Sequence, residues 1–222
     1  MLEQLLPNVF WPEIWQASLD TLLMLFGSMP VIVLLGLPLG VLLFLTSPNQ
    51  MFEREKLYDT LSLLVNILRS MPFVILLILM LPVTEILVGD SLGVKGTIPP
   101  LIVGATPFFA RLVETALREV ERGIIEATQA MGASTWQIIT RALLPEALPG
   151  LLAATTVTAI TLVGYTAMSG LVGGGGLGDL AVRYGYHRYQ LDVMAVTVVL
   201  LLILVQVLQM VGDRLVVHFS RK

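Results

Sequence analysis

Three long stretches without a charged side chain decide what this chain can become. No Asp, Glu, Lys or Arg occurs between Asp20 and Glu53, between Glu146 and Asp179, or between Asp192 and Asp213. About 20 mostly apolar residues cross a bilayer as a helix, and each stretch is long enough to do so. The expectation is therefore a polytopic membrane protein. Composition points the same way: 13% of residues are charged and mean hydropathy is +0.86, against about 25% charged in soluble domains. A net charge of −3 excludes a basic nucleic-acid binder. Without cysteine there is no disulfide, thiolate metal site or Cys nucleophile. Two histidines, His187 and His218, are too few for a His-rich metal site.

The pattern predicts an all-α fold, one transmembrane domain over 1–222 with five spans at roughly 19–45, 58–81, 97–117, 150–172 and 193–211. Pro30, Pro38, Gly27, Gly36 and Gly40 fall inside the first span; membrane helices tolerate such residues because neighbours re-satisfy the freed backbone groups. Trp11 and Trp15 suit an interfacial belt before it. The stretch with Glu3, Glu13 and Asp20 lacks the basic start of a cleaved signal peptide, and the apolar run is too long for one.

An odd number of spans places the termini on opposite sides. Nine basic residues collect on one side (Arg54, Lys56, Arg111, Arg118, Arg122, Arg141, Arg214, Arg221, Lys222) and three on the other (Lys95, Arg183, Arg188). The positive-inside rule puts the larger group in the cytoplasm. The amino terminus is then outside and the carboxyl terminus inside.

The cytoplasmic connection at 118–149 is the longest, and it has helix grammar. Ile124, Ala127, Ala130, Met131 and Ser134 share one helical face. Gly132 suits a left-handed helix end. Ser134 and Gln137 form a capping-box pattern that opens a second short helix, and Pro145 and Pro149 interrupt the chain before it re-enters the membrane. Two readings fit: helices lying on the membrane surface, or a knob of small residues that docks in a partner's groove.

Glu126-Ala127-Thr128, then Gly132, then Leu144-Pro145 resembles the EAA loop of bacterial ABC importer permeases. Thr128 replaces the family's second Ala, and Ala142 replaces its Ile. The stretches KLYDTLSLLVNILRSMPFVILL, GATPFFARLVETAL and ITLVGYTAMSGLVGGGGLGDLAVRYGY, with the late GDRLV, are similar to methionine importer permeases within that family. The resemblance implies a type I ABC importer permease in the bacterial cytoplasmic membrane. It implies a homodimer, two ATPase subunits that hold ATP and Mg2+, and an external methionine-binding protein. The substrate would be methionine, L- and D-, moved by alternating access by a subunit that is itself no enzyme. Glu126, Ala127, Ala130, Met131, Gly132, Ala133, Leu144 and Pro145 would couple it to the ATPases. The alternatives are a permease for another amino acid or an ion-coupled secondary carrier.

The residues speak to the energy source independently. A P-loop needs Gly-Lys-[Ser/Thr], and Lys56, Lys95 and Lys222 never follow Gly. A secondary carrier would place carboxylates inside its spans, and spans one, four and five have none.

Candidate pathway residues lie on spans two to four. Arg69 sits inside span two, either as a functional charge or as a clamp that snorkels or pairs with Glu114. Ser70 and Met71 precede Pro72, which should loosen or bend the helix, and Thr106 precedes Pro107. Thr161, Tyr165, Met168 and Ser169 are the span-four candidates, as a weakly polar lining or as packing, with Met168 as an outer gate. Gly173 to Gly176 predict a loop, either simple re-entry or a mobile segment receiving substrate. Arg183, Tyr184, Tyr186, His187 and Arg188 are headgroup anchors or an outer docking face.

Overall fold

The computed structural model describes residues 6–220. Glu3, Arg221 and Lys222, used above, lie outside them. Among the described residues every regular element is helical.

Helix α1 is Trp11–Thr46, α2 Glu55–Ser70, α3 Phe73–Val88 and α4 Gly93–Arg118. A short α5, Arg122–Ala130, leads into a second short helical run made of Thr135–Gln137, a wider-wound Ile138–Leu143 and Leu144–Glu146. Helix α6 is Leu148–Ser169, extended by a tight turn over Gly170–Val172; α7 is Gly176–Leu180 with a wider turn over Ala181–Tyr186; α8 is Leu191–Phe219.

Small residues set how closely the helices approach, as membrane packing requires. A methyl group on Gly36 would come 2.7 Å from the Phe109 ring, and one on Gly40 2.6 Å from Val113. Further out, Gly27 faces Ile98. These contacts advance together along both chains, so α1 and α4 run parallel. Helix α6 runs the other way: Gly150 abuts Ala116, near the end of α4, while the Gly93 amide, at its start, donates to the Gly173 carbonyl. Gly212 of α8 abuts Thr156 of α6. Leu101, Phe109, Val113, Leu117, Ile32 and Leu162 are fully buried at the centre of this packing.

The second span is not a straight helix. Helices α2 and α3 meet at 101° across Met71-Pro72. Pro72 lacks the amide that would continue the ladder, and its ring disfavours helical backbone at the preceding residue. Met71 is accordingly extended, with φ −75° and ψ 128°. Because α1 and α4 are parallel, the bent pair must carry the chain from one end of the bundle to the other. It serves as one broken crossing beside four continuous helices.

The first span is longer than its apolar stretch. Helix α1 begins at Trp11, so Trp11 and Trp15 are exposed on the helix rather than ahead of it. At 36 residues it is about 54 Å long, well beyond the hydrocarbon core, and its first turns are tied down by polar contacts. Arg183 bridges Glu13 at 3.2 Å and Asp179 at 3.0 Å. The Asn8 amide donates to Asp192 at 2.8 Å.

The glycine run packs closely against its neighbours. Gly173, Gly175 and Gly176 have φ near +80°, a region side chains disfavour, and Gly176 opens α7. A methyl group on Gly174 would stand 2.6 Å from Ser169 Oγ and 2.7 Å from Thr97 Oγ1. Gly174 and Gly176 have no room for a side chain against α1, α4 and α6, and Gly173 and Gly175 are required by their left-handed backbone.

Candidate functional site

Two surfaces carry the candidate residues, one on the connection at 118–149 and one around the break in the second span.

On the connection, α5 ends as its sequence suggests. Met131 closes the helix, and Gly132 follows in the left-handed region at φ +78°. The Gly132 amide donates to Gln129 O at 2.9 Å. Ser134 then caps the next turn: its amide donates to Gln137 Oε1 at 2.8 Å, and its hydroxyl accepts from the Gln137 amide at 3.4 Å. The turn is rigid because these end groups are satisfied locally.

Of the face the periodicity picks out, Ala127, Ala130, Met131 and Ser134 are exposed and Ile124 is half-buried. Ile125 is buried and Ile124 half-buried against the bundle, while Glu126, Ala127 and Ala130 are exposed. Met131 is 78% exposed, and so, at 72%, is Trp136. Sequence reasoning passed over Trp136, although a large aromatic two residues past a capping Ser was the available signal. Leu144 packs into the core, Pro145 is exposed beside it, and Ala133 is half-buried. Leu144 thus anchors the exit of the connection, and the protruding part is Glu126 to Trp136. Beside it, Asn49, Gln50 and Met51 join Arg122, Ile125, Glu126 and Gln129 around a recess of about 250 Å³.

Around the break, Arg69 ends α2 with its guanidinium carbon 6.0 Å from the Phe108 ring centre. It does not pair with Glu114. That carboxylate is 2% exposed and already holds Arg111 at 2.6 Å and Arg118 at 2.7 Å, and it accepts from the Tyr58 hydroxyl. Arg111 also donates to Ser62 and Asn66 of α2. The clamp between α2 and α4 that the sequence suggested therefore exists, built on Arg111 and Arg118 instead of Arg69. Charge alone could not have assigned it; the antiparallel register of α2 and α4 does.

Ser70 donates to Asn66 O on the surface, and Met71 is half-buried at the bend. The Thr106 hydroxyl is buried without a partner. Tyr165 is half-buried and stacks on Phe73. The hydroxyls of α6 mostly turn inward. Thr155, Thr156, Thr158 and Thr161 each donate to the carbonyl four residues back on their own helix. Ser169, a candidate for lining or for packing, is fully buried with its hydroxyl on Thr166 O; it packs against Gly174. Val157, Gly164, Met168 and Leu171 make an exposed stripe down α6, and Thr161 lies half-buried along it.

The model of the binding-protein-dependent transport system inner membrane component family matches residues 32–222. The chain belongs to this family. As a member it is the membrane component of a transport system, not the subunit that performs catalysis. Over 200 residues the permease is 51% identical to the probable D-methionine transport system permease protein MetI of Vibrio cholerae, covering 90% of this chain and 89% of the relative. The methionine import system permease protein MetP of Bacillus subtilis is 46% identical over 213 residues, 96% of each chain. A solved inward facing MetNI methionine ABC transporter superposes with TM-score 0.92 at 51% identity, over 94% of this chain and 97% of that one. An amino acid ABC transporter crystallised with histidines shares the fold at TM-score 0.71 and 17% identity.

Proposed function

We propose that this permease carries methionine inward across the bacterial cytoplasmic membrane as half of a homodimer, driven by two ATPase subunits on its cytoplasmic connection. Substrate arrives from an external methionine-binding protein. ATP and Mg2+ reside on the ATPase subunits, and lipid surrounds the outer helices. The amino terminus and Lys95 are outside, and 118–149 and the carboxyl terminus are inside.

The observation that carries the reading is the pair Met131 and Trp136, both exposed on a turn whose backbone is locked by Gly132 and the Ser134 cap. Large apolar side chains on a rigid, protruding turn favour a protein partner over solvent. Glu126, Ala127, Ala130, Met131 and Gly132 form the inserted surface, with Ala133, Leu144 and Pro145 fixing its base. Closure of the ATPases on ATP pulls on this turn, and the pull reaches α4 and α6 on either side of it. Across the dimer axis, the stripe with Thr161, Tyr165 and Met168 lines the route, and Arg69, Ser70, Met71 and Thr106 lie at the break opposite.

A single Cys at Ser134 tests this cleanly, because the chain has no other cysteine. It should react only from the cytoplasmic side and become shielded when the ATPase subunit binds. Reaction from outside, or no shielding by the ATPase, overturns the assignment.

A further inference from the structure

We propose that Arg69 is the carboxylate-binding residue of the translocation route, gripping the permeating amino acid at the break between α2 and α3. The inference rests on the reading that the chain carries an amino acid.

Depth comes first. Arg69 lies against Phe108, and ten residues, on the order of 15 Å, separate Phe108 from Arg118 at the cytoplasmic end of α4. Arg69 thus lies within the second span, one helical turn further from the cytoplasmic end than Arg111, where a charge is costly and usually functional.

Second, Arg69 has no counter-charge. Among the described residues the ion pairs join Arg111 and Arg118 to Glu114, and Arg183 to Glu13 and Asp179. Arg69 also makes no side-chain hydrogen bond there, and its side chain is exposed on the chain's surface. Arg69 is therefore available to an anion from outside the chain.

Third, the surroundings suit a carboxylate attached to an apolar body. The bend places the amino end of α3 directly after Arg69. No backbone acceptor is found for the Phe73 and Val74 amides, while those of Ile75 and Leu76 return to Pro72 O. Free amides at a helix start favour an anion, and broken membrane helices present such ends at mid-depth. Phe108, beside Arg69, and Tyr165, both half-buried, supply aromatic surface for the remainder of the substrate.

The test uses the reconstituted complex with its ATPase subunits and loaded binding protein. Arg69→Gln should lower methionine uptake about tenfold or more, the range a hydrogen bond to a charged group carries, while ATP hydrolysis and the binding protein's half-saturating concentration stay near wild type. Arg69→Lys should retain most uptake. Arg69→Cys should be inactive, recover with the cationic reagent aminoethyl methanethiosulfonate, and not recover with neutral methyl methanethiosulfonate. Unchanged uptake in Arg69→Gln, or equal recovery with both reagents, overturns the proposal alone. Loss of assembly or of ATP hydrolysis in step with uptake makes Arg69 a strut for the bend and overturns it too. A wild-type complex that carries no amino acid overturns the import reading and this proposal with it.

Discussion

Phe73 lies flat against Tyr165, with ring centroids 4.2 Å apart and planes 3° from parallel. The first residue of α3 is thereby fastened to α6, and the bend of the second span is held by a helix distant in sequence. Phe73 also contacts the space at Gly104, where an added methyl group would come 3.3 Å from its ring. Removing the ring should loosen the bend. Phe73→Ala is expected to cost about 3–5 kcal/mol, as for other buried aromatics, and thermal unfolding in detergent should show it. Tyr165→Phe keeps both rings and should unfold like wild type.

Gly132→Asp should abolish ATP-coupled uptake while the chain still inserts and dimerises. An added β-carbon at Gly132 meets nothing within 4 Å, so no clash inside the chain explains a loss. The left-handed backbone at φ +78° costs a side chain on the order of 1 kcal/mol, which the loop can absorb. The carboxylate then obstructs the partner's groove. Gly132→Ala, with the strain and little of the obstruction, should retain partial uptake. Normal uptake by Gly132→Asp would remove the docking assignment.

At the outer end, Gly174→Ala should destabilise the protein by about 1–3 kcal/mol, the usual cost of overpacking. Its new methyl group would crowd Ser169 and Thr97. Surface expression and the melting temperature are the readouts. A wild-type melting temperature would mean that the glycine turn yields, as a mobile loop would.

Much of this architecture is legible in the residues, and the failures have definite causes. Charge-free stretches locate α1, α6 and α8 because burying charge in lipid is expensive, and that cost is local to each stretch. Pro72 announces a bend, but its size depends on Phe73 finding Tyr165 and Gly104. The capping pattern at Ser134 and the glycine after Met131 are short-range signals, and both hold. Three-dimensional register is what periodicity cannot supply. Ile125 is the buried residue of α5 while Ile124 is half-buried, Ser169 is spent on packing rather than lining, and Glu114 is taken by Arg111 and Arg118. The glycine run is ambiguous for a related reason: four glycines signal flexibility or close approach equally well, and the close contacts of Gly174 and Gly176 depend on distant neighbours.

Met168 is 45% exposed on the unpartnered stripe of α6. In a two-fold dimer a residue near the axis meets its own copy, and paired methionines can seal and part at little cost. Met168→Cys should crosslink across the dimer without nucleotide, and less when ATP holds the ATPases closed. Absence of any crosslink in either state places Met168 against lipid or a neighbouring span.

The central claim is that energy enters through the cytoplasmic connection and moves methionine inward. Uptake of radiolabelled methionine into vesicles containing this permease, its ATPase subunits and the binding protein tests it directly. Accumulation should require ATP and the binding protein together and should persist when ion gradients are dissipated. Accumulation that proceeds without ATP and collapses with the ion gradient would contradict the account and make the chain an ion-coupled carrier.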